Sequence, residues 1–246
     1  MTGYRLNRRL LLTAGSGVFG ITVLNTLTGC SEPRTETPAP AGTSASAATG
    51  GKVEWRRVDL DFVAVYLLVR GGEVAVVDTG TAGSAGAVET GLKAAGLSWA
   101  SVRHVILTHQ HPDHAGGLAE MVPQLSATLY AGTDDVAAID AAGKPIQAVK
   151  DGDEVFGLQM IGTPGHTLGH VSVFEPGTGV LVAGDALRNQ NVLEGSAPQY
   201  TADAAQAAAS VKKLAGLDVR AILPGHGRPI TDGAKEALQK LAATIK

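Results

Sequence analysis

The segment 108–117 constrains this chain more than any other, because it reads Thr-His-Gln-His-Pro-Asp-His-Ala-Gly-Gly. Within six residues it offers three imidazoles and one carboxylate, which are groups that bind borderline divalent metals such as zinc. These four residues are His109, His111, Asp113 and His114. The apolar run 105–107 predicts a strand before them, and a turn from that strand into a helix would let the first two face one point and the last two a neighbouring point. Two metals could then share a hydroxide; the alternative is a set of solvated loop histidines.

Three later segments each place a potential ligand on a short turn at the end of a predicted strand. They are His166 in Thr-Pro-Gly-His-Thr, Asp185 after the apolar run 180–183, and His226 in Pro-Gly-His-Gly. Ligands on loops that leave rigid strands are the ones best held in place for a site. Together with His170, four residues after His166, six of the seven histidines therefore fall in or around one candidate site. The seventh, His104, precedes the strand and is expected to be exposed.

The body of the chain, residues 52–246, alternates short predicted strands with helices. A continuous apolar run at 62–69 is typical of a buried strand, and the Gly pair that follows it predicts a hairpin turn. Helices are predicted at 84–95, 134–142, 201–215 with Thr201 as N-cap, and 234–245. Two β-rich halves with helices outside them predict an α/β fold, a four-layer αβ/βα sandwich rather than a doubly wound sheet.

Taken in this order, the four motifs resemble those of the metallo-β-lactamase superfamily, and the resemblance covers roughly residues 53–230. It implies the superfamily's four-layer sandwich and a dinuclear metal site. It assigns His109, His111 and His166 to the first metal, Asp113, His114 and His226 to the second, and Asp185 to a bridge between them. The expected cofactors are two zinc ions, with iron or manganese as alternatives.

The resemblance also implies roles around the metals. Asp113 is expected to act catalytically, by orienting the hydroxide while it binds metal. His170 and Asp78 match family positions that support the ligands rather than bind metal. Two cations would supply hydroxide without a dedicated general base and would stabilise the oxyanion that forms during hydrolysis.

Departures from subfamily patterns narrow the expected reaction. Zinc β-lactamases have Cys or Ser where this chain has Asp185, and glyoxalase II carries a glutathione-contacting segment that residues 186–195 do not match. Acyl-homoserine lactonases place a catalytic Tyr where this chain has Arg188; Tyr200 is a candidate to replace it, unless both are ordinary loop residues. The expected function is hydrolysis of a carboxylic ester, thioester or lactone of a small-molecule substrate. A mononuclear-iron persulfide dioxygenase, a β-lactamase and a non-catalytic metal-binding lipoprotein stay open as alternatives.

Charge excludes one class of partner. Lys and Arg number 20 against 23 Asp and Glu, which gives a net charge of −3 and no basic patch. Binding to nucleic acid depends on neutralising phosphates with cationic side chains. A nucleic-acid partner is therefore not expected.

The first 51 residues resemble an export leader followed by a tether. Three arginines and then an uncharged apolar stretch lead to Leu-Thr-Gly-Cys at 27–30, which resembles a bacterial lipobox and makes Cys30 the lipidated residue. An uncleaved membrane anchor is the alternative, and the arginine pair at 8–9 leaves a twin-arginine export route open. Residues 31–51 are rich in Pro, Ala, Ser and Thr and predict a flexible tether. We therefore expect a membrane-anchored lipoprotein on the extracytoplasmic side, in the periplasm or at the cell surface.

Overall fold

The longest apolar run forms a strand that is buried on both faces, Val63–Arg70. Val65 and Leu67 pack towards helices, whereas Tyr66 and Leu68 pack towards a second sheet. Successive side chains of a strand point to opposite faces, so a strand that is apolar at every position lies between two apolar layers. This burial explains why the run lacks the alternation of a surface strand.

The computed structural model describes residues 51–245. The predicted export signal at 1–30 and all but the last residue of the predicted tether lie outside the described residues. Within the described range, no helix has the length and apolar character needed to cross a membrane.

The first sheet has six strands in sequence order, from β1 to β6. The β1–β2 and β2–β3 pairs are antiparallel, and the remaining pairs are parallel. The strands are β1 Glu54–Leu60, β2 Val63–Arg70, β3 Glu73–Val77, β4 Val102–Leu107, β5 Thr128–Gly132 and β6 Ile146–Val149. The Gly71-Gly72 turn between β2 and β3 has positive φ at both residues, as the predicted tight hairpin requires.

The second sheet has the order β11-β10-β9-β8-β7, and β12 pairs in parallel with β10. Its strands are β7 Glu154–Val155, β8 Leu158–Gly162, β9 Val171–Glu175, β10 Val180–Asn189, β11 Leu193–Gly195 and β12 Ala221–Gly227. The pairing of β10 with β12 shifts register twice, after Val182 and after Gly184. These irregularities fall beside Asp185, one of the predicted ligands.

Helices cover the outer face of each sheet. They are α1 Ala85–Ala94, α2 Pro112–Ala115, α3 Leu118–Met121, α4 Ala204–Leu214 and α5 Ala234–Thr244. One apolar cluster joins the first sheet to α1 and α3, a second joins the two sheets, and a third joins the second sheet to α4 and α5. Three apolar layers between four layers of secondary structure confirm the predicted αβ/βα sandwich.

Three local predictions were wrong. The helix predicted at 134–142 is only a 3₁₀ turn at Val136–Ala138, because the Asp135 carboxylate bonds to distant loops instead of capping a helix. The N-cap of α4 is Asp203, whose carboxylate accepts from two backbone amides, since the Thr201 hydroxyl donates to Ala197 O instead. His104 lies inside β4 and is half-buried against the rings of Tyr130 and Phe156.

Candidate metal centre

The fold brings all seven predicted ligands to one end of the sandwich. His109 and His111 follow β4, and α2 carries Asp113 and His114. His166 lies on the loop between β8 and β9, Asp185 lies within β10, and His226 lies within β12. Four of the seven therefore lie on a strand or on the short helix α2, while His109 and His111 lie on the short segment between β4 and α2, and His166 lies on a loop between two strands.

The first group comprises His109, His111 and His166. The Nε2 atom of His109 lies 3.1 Å from Nδ1 of His111, which lies 2.9 Å from Nε2 of His166. His109 and His166 are buried, and His111 is partly exposed at the floor of a cavity. Three ring nitrogens thus converge on one point.

The second group comprises Asp113, His114 and His226. The Nε2 atom of His226 lies 3.2 Å from Oδ2 of Asp113 and 3.3 Å from Nε2 of His114. His114 is fully buried, whereas Asp113 and His226 are partly exposed. The group therefore has a closed side and a side open to solvent.

Asp185 contacts both groups. Its Oδ2 atom lies 3.4 Å from Nε2 of His166 and 3.3 Å from Nε2 of His226. Its Oδ1 atom lies 3.2 Å from Nε2 of His114, but this buried oxygen has no hydrogen-bond partner among the described residues. A buried carboxylate oxygen without a donor, placed between two imidazole groups, fits a metal ligand.

Asp78 fixes the tautomers of two histidines. Its Oδ2 atom accepts a hydrogen bond from Nδ1 of His114 at 2.8 Å. Its carboxylate also accepts from the Thr108 amide and hydroxyl. With its proton committed to Asp78, the Thr108 oxygen accepts from Nδ1 of His109 at 3.0 Å. Both imidazoles therefore present an Nε2 lone pair to the cluster.

His166 and His226 are oriented in the same way by other partners. The Thr201 hydroxyl donates its proton to the carbonyl oxygen of Ala197, so it can only accept a hydrogen bond from the Ser196 hydroxyl. Since the Ser196 proton is used in that bond, the Ser196 oxygen accepts from Nδ1 of His166 at 2.8 Å. Nδ1 of His226 donates to the carbonyl oxygen of Phe62 at 2.7 Å. In the neutral form of all four rings, the bonds at Nδ1 therefore leave an Nε2 lone pair that faces inward.

The inward-facing lone pairs test whether a metal fits. Two neutral nitrogens that both present lone pairs cannot hydrogen-bond to each other, and at about 3 Å they repel unless a cation or proton lies between them. Nitrogens bound to one tetrahedral zinc at 2.0–2.1 Å would be about 3.3 Å apart, close to the separations in both groups. The donor set of imidazole and carboxylate thus fits divalent metals.

The pKa values of the cluster show where protons reside in its metal-free form. Burial would lower the pKa of His114, but the charges of Asp185 and Asp78 hold it well above its usual value. Burial also opposes protonation of His226, yet hydrogen bonds to Asp113 and Asp185 raise its pKa to about 10. Burial lowers the pKa of His166 to about 4. Protons on His114 and His226 therefore balance the carboxylates until cations replace them.

Asp135 is a supporting residue that the sequence did not reveal. It is buried, and its Oδ2 atom accepts from the Gln110 amide at 3.0 Å and from the Thr167 hydroxyl at 2.6 Å. Its Oδ1 atom accepts from the Gly169 amide at 3.0 Å. It thereby ties the loop of His109 and His111 to the loop of His166. No local sequence motif predicts this role, because the hydrogen-bond partners of Asp135 lie 25 to 34 residues away in the sequence.

His170 lies beside the cluster and supports it, as predicted. Its Nδ1 atom lies 2.7 Å from the Thr163 hydroxyl, and its Nε2 atom accepts from the backbone amide of Asp185 at 3.0 Å. Burial lowers the pKa of this imidazole to about 3, so it is neutral. The ring therefore positions the backbone of Asp185 and carries no charge to the site.

A cavity of about 520 Å³ opens over the cluster. Five of the seven candidate ligands line it, all except the fully buried His109 and His114. Its walls include Phe62, Arg188 and Tyr200. An Nη atom of Arg188 lies 3.0 Å from Glu194. Arg188 and Tyr200, which the sequence left between a substrate role and an ordinary loop role, therefore both face the candidate site.

The sequence matches the family model described as "Metallo-beta-lactamase superfamily" over residues 58–226. The chain is 30% identical over 200 residues to "Probable metallo-hydrolase YflN" of Bacillus subtilis, a match that covers 63% of this chain and 76% of that protein. It is 35% identical over 167 residues to "Hydroxyacylglutathione hydrolase" of Acidiphilium cryptum, covering 65% of this chain and 63% of the enzyme. The chain thus spans less than two thirds of that enzyme's length.

Solved structures share the architecture. A metallo-beta-lactamase family protein from Thermus thermophilus, TTHA1429, superposes with a TM-score of 0.61 at 27% identity, covering 78% of each chain. The metallo-beta-lactamase SMB-1, solved with mercaptoacetic acid, has a TM-score of 0.60 at 21% identity and covers 77% of this chain and 93% of that chain. At such low identity, the second likeness concerns the fold alone.

Proposed function

The chain belongs to the metallo-beta-lactamase superfamily, and on that premise we propose that it is a dinuclear zinc hydrolase of carboxylic esters, thioesters or lactones. The position of Asp185 carries the proposal, because its two oxygens lie 3.2 to 3.4 Å from imidazole nitrogens of both ligand groups. A carboxylate at that position can bridge two cations. The relatives called hydroxyacylglutathione hydrolase support a hydrolase that acts on a small molecule.

Zinc is the proposed metal because five imidazoles and two carboxylates make up the site, and the described residues contribute no thiolate. Imidazole is a common zinc ligand, although iron and manganese accept similar donors. When bound, two such cations supply hydroxide near neutral pH and polarise the carbonyl of the substrate. The residues around the cations position the ligands and transfer protons during the reaction.

Asp113 is the proposed catalytic residue of the chain. Its carboxylate lines the cavity and is 28% exposed, and although burial raises its pKa, the hydrogen bond from His226, the charge of His114 and a backbone hydrogen bond together hold that pKa below its usual value. An ionised carboxylate here accepts a hydrogen bond from the attacking hydroxide and so fixes its direction of attack. After the oxygen has added to the acyl carbon, the carboxylate can take up the proton of that new hydroxyl group, and as the bond from the acyl carbon to the leaving atom breaks it can pass this proton to the leaving atom.

The supporting contacts make the ligands rigid before substrate arrives. Asp78, Ser196 and the Phe62 carbonyl each accept a hydrogen bond from the outward-facing Nδ1 atom of one imidazole. The three imidazoles are those of His114, His166 and His226. Ligands that do not reorganise during the reaction keep their electrostatic contribution high in the transition state. The geometry therefore favours catalysis over simple metal storage.

A substrate screen on the zinc-loaded full chain tests this proposal. We expect turnover of at least one member of a panel of p-nitrophenyl esters, a glutathione thioester and γ- and δ-lactones, and little turnover of nitrocefin. Oxygen uptake with glutathione persulfide and one bound iron would instead favour the dioxygenase. Metal binding with no turnover of any substrate would favour the non-catalytic lipoprotein.

We also propose that lipidated Cys30 tethers this domain to the extracytoplasmic face of a membrane. Support comes from the leader, in which the only cysteine of the chain follows Leu-Thr-Gly. A thioether-linked diacylglycerol with a further acyl chain suffices for stable anchoring. Palmitate labelling in a bacterial host should mark the full chain and not a Cys30→Ser variant, which should also leave the membrane fraction.

A further inference from the structure

Exposed large apolar side chains gather around the candidate site. Among residues 51–245 there are four of them, with exposed fractions of 55% for Phe62, 58% for Leu168, 62% for Val192 and 64% for Tyr200. Phe62 lies on the β1–β2 turn, Leu168 on the loop of His166, and the other two between β10 and α4. Single exposed apolar residues are ordinary, but a group of them at a cavity marks a binding surface.

Phe62 and Tyr200 form apolar walls of the cavity over the cluster. The Phe62 ring lies nearly parallel to the His226 imidazole, with centroids 6.1 Å apart and an interplanar angle of 9°. Val192 lies two residues after Gln190, which also lines this cavity. An acyl group with its carbonyl at the cluster would therefore meet apolar walls.

A second cavity of about 530 Å³ adjoins the first. The two share His111, His166, Gln199 and Tyr200 as lining residues. Leu168 lines only the second cavity. Because four residues line both cavities, the cavities lie side by side, and we call the two together the trough; it includes both the cluster and Leu168.

Charge in this trough disfavours an anionic peptide such as glutathione. Of the Lys and Arg residues in the described part of the chain, only Arg188 lines either cavity. Its guanidinium is paired with Glu194 at 3.0 Å. The second cavity is lined by Asp134 and Asp135. The two negative charges of a ligand with two carboxylates would therefore meet few positive charges here.

We propose that the substrate is an ester or lactone whose apolar acyl chain lies along this trough from the cluster to Leu168. The inference rests on the proposed hydrolase function and names the substrate class for that site. Water adds its oxygen to the acyl carbon, the bond from that carbon to the alkoxy oxygen breaks, and the alkoxy oxygen takes up a proton. The products are a carboxylate and an alcohol, or a hydroxy acid from a lactone.

Chain-length dependence tests the proposal. The zinc-loaded full chain is assayed with p-nitrophenyl acetate, butyrate, hexanoate and octanoate. The octanoate ester has six more methylene groups than the acetate ester, and their full burial at about 0.8 kcal/mol each would raise kcat/KM several thousandfold. Because the trough is open to solvent, we expect kcat/KM for octanoate to exceed that for acetate by about tenfold or more. Leu168→Ser and Tyr200→Ser should each lower that ratio about threefold to tenfold. Both side chains are exposed, so these variants should fold.

The control variant is Lys240→Ser, an exposed change on α5 away from both cavities, which should keep the wild-type ratio. Equal kcat/KM for acetate and octanoate would overturn this inference and leave the proposed hydrolase standing. No turnover of any ester or lactone would overturn both. If the two serine variants keep the ratio but bind phosphatidylcholine vesicles less well than the wild type, the apolar rim contacts membrane and the acyl-chain proposal is wrong.

Discussion

Asp78 accepts a hydrogen bond from Nδ1 of His114 at 2.8 Å. This bond turns the Nε2 atom of the imidazole towards the cluster, although Asp78 itself touches no candidate metal position. The backbone of Asp78 has a φ of 64°, a conformation that Asp and Asn tolerate better than most residues. The turn after β3 is thus shaped to direct this carboxylate at Thr108 and His114.

Asp78→Asn should weaken metal binding by about 10- to 100-fold. Asn keeps the backbone conformation, but its NH₂ group would face one of three donors and leave it unpaired, at a cost of about 1–3 kcal/mol in the free energy of unfolding. Metal titration and thermal unfolding check both effects. Asp61→Asn is the matched control, since Asp61 also has positive φ, at 74°, and is exposed. Equal metal affinity in the two variants would contradict the role assigned to Asp78.

Asp135→Asn should remove metal from the first group while the second group retains its metal. The amide would turn an NH₂ group towards the donors that hold the two histidine loops together. We expect metal content to fall by about one equivalent. The exposed neighbouring variant Asp134→Asn should keep the wild-type metal content. Loss of both equivalents, or of neither, would show that Asp135 does not act through the first group.

Gly225→Ala should displace the carboxylate of Asp185, the proposed bridge between the two metals. A Cβ atom at this position would lie 2.5 Å from Oδ1 of Asp185 and 2.6 Å from Cε1 of His114. Misplacement of a reacting group by about 1 Å can cost about 100-fold in rate, so a loss of that order in kcat/KM is expected. Gly86→Ala is the control, because a Cβ atom there meets nothing within 4 Å. Wild-type kinetics in Gly225→Ala would mean that Asp185 does not need its present position.

Metal binding should release protons at neutral pH. The pKa of His226 is raised to about 10 and that of His114 is also raised, so both imidazoles are protonated in the metal-free protein at pH 7. Cations must displace these protons, and apparent affinity should therefore rise with pH, about tenfold per unit for each proton displaced. Calorimetry in buffers of different ionisation enthalpy counts the protons. We expect about two per chain; none would contradict the charge balance described for the cluster.

The layered fold and the ligand positions could be predicted because they depend on local patterns. An apolar run without alternation, such as that of β2, indicates burial on both faces. A Pro-Gly-His-Gly segment after an apolar run predicts a histidine held near the end of a strand, and His226 does lie near the end of β12, although the strand includes the Pro-Gly pair. Both signals lie within about ten residues of sequence.

The remaining features depend on contacts that no local pattern encodes. Asp135 looked like the start of a helix, yet its carboxylate is used by loops that only the fold brings near. Thr201 looked like an N-cap, yet its hydroxyl belongs to the chain of bonds that orients His166. For Asp135 distant loops took the polar group that a helix would have used, whereas for Thr201 the partners Ala197 and Ser196 belong to the segment just before it.

Metal content of the full chain tests the central claim most directly, because every role assigned here depends on two cations bridged by Asp185. Elemental analysis should find about two zinc ions per chain in the wild type. The Asp185→Ala variant should contain one zinc ion or none and should not hydrolyse the substrate. One iron per chain, or wild-type metal content in His226→Ala, would contradict the dinuclear site.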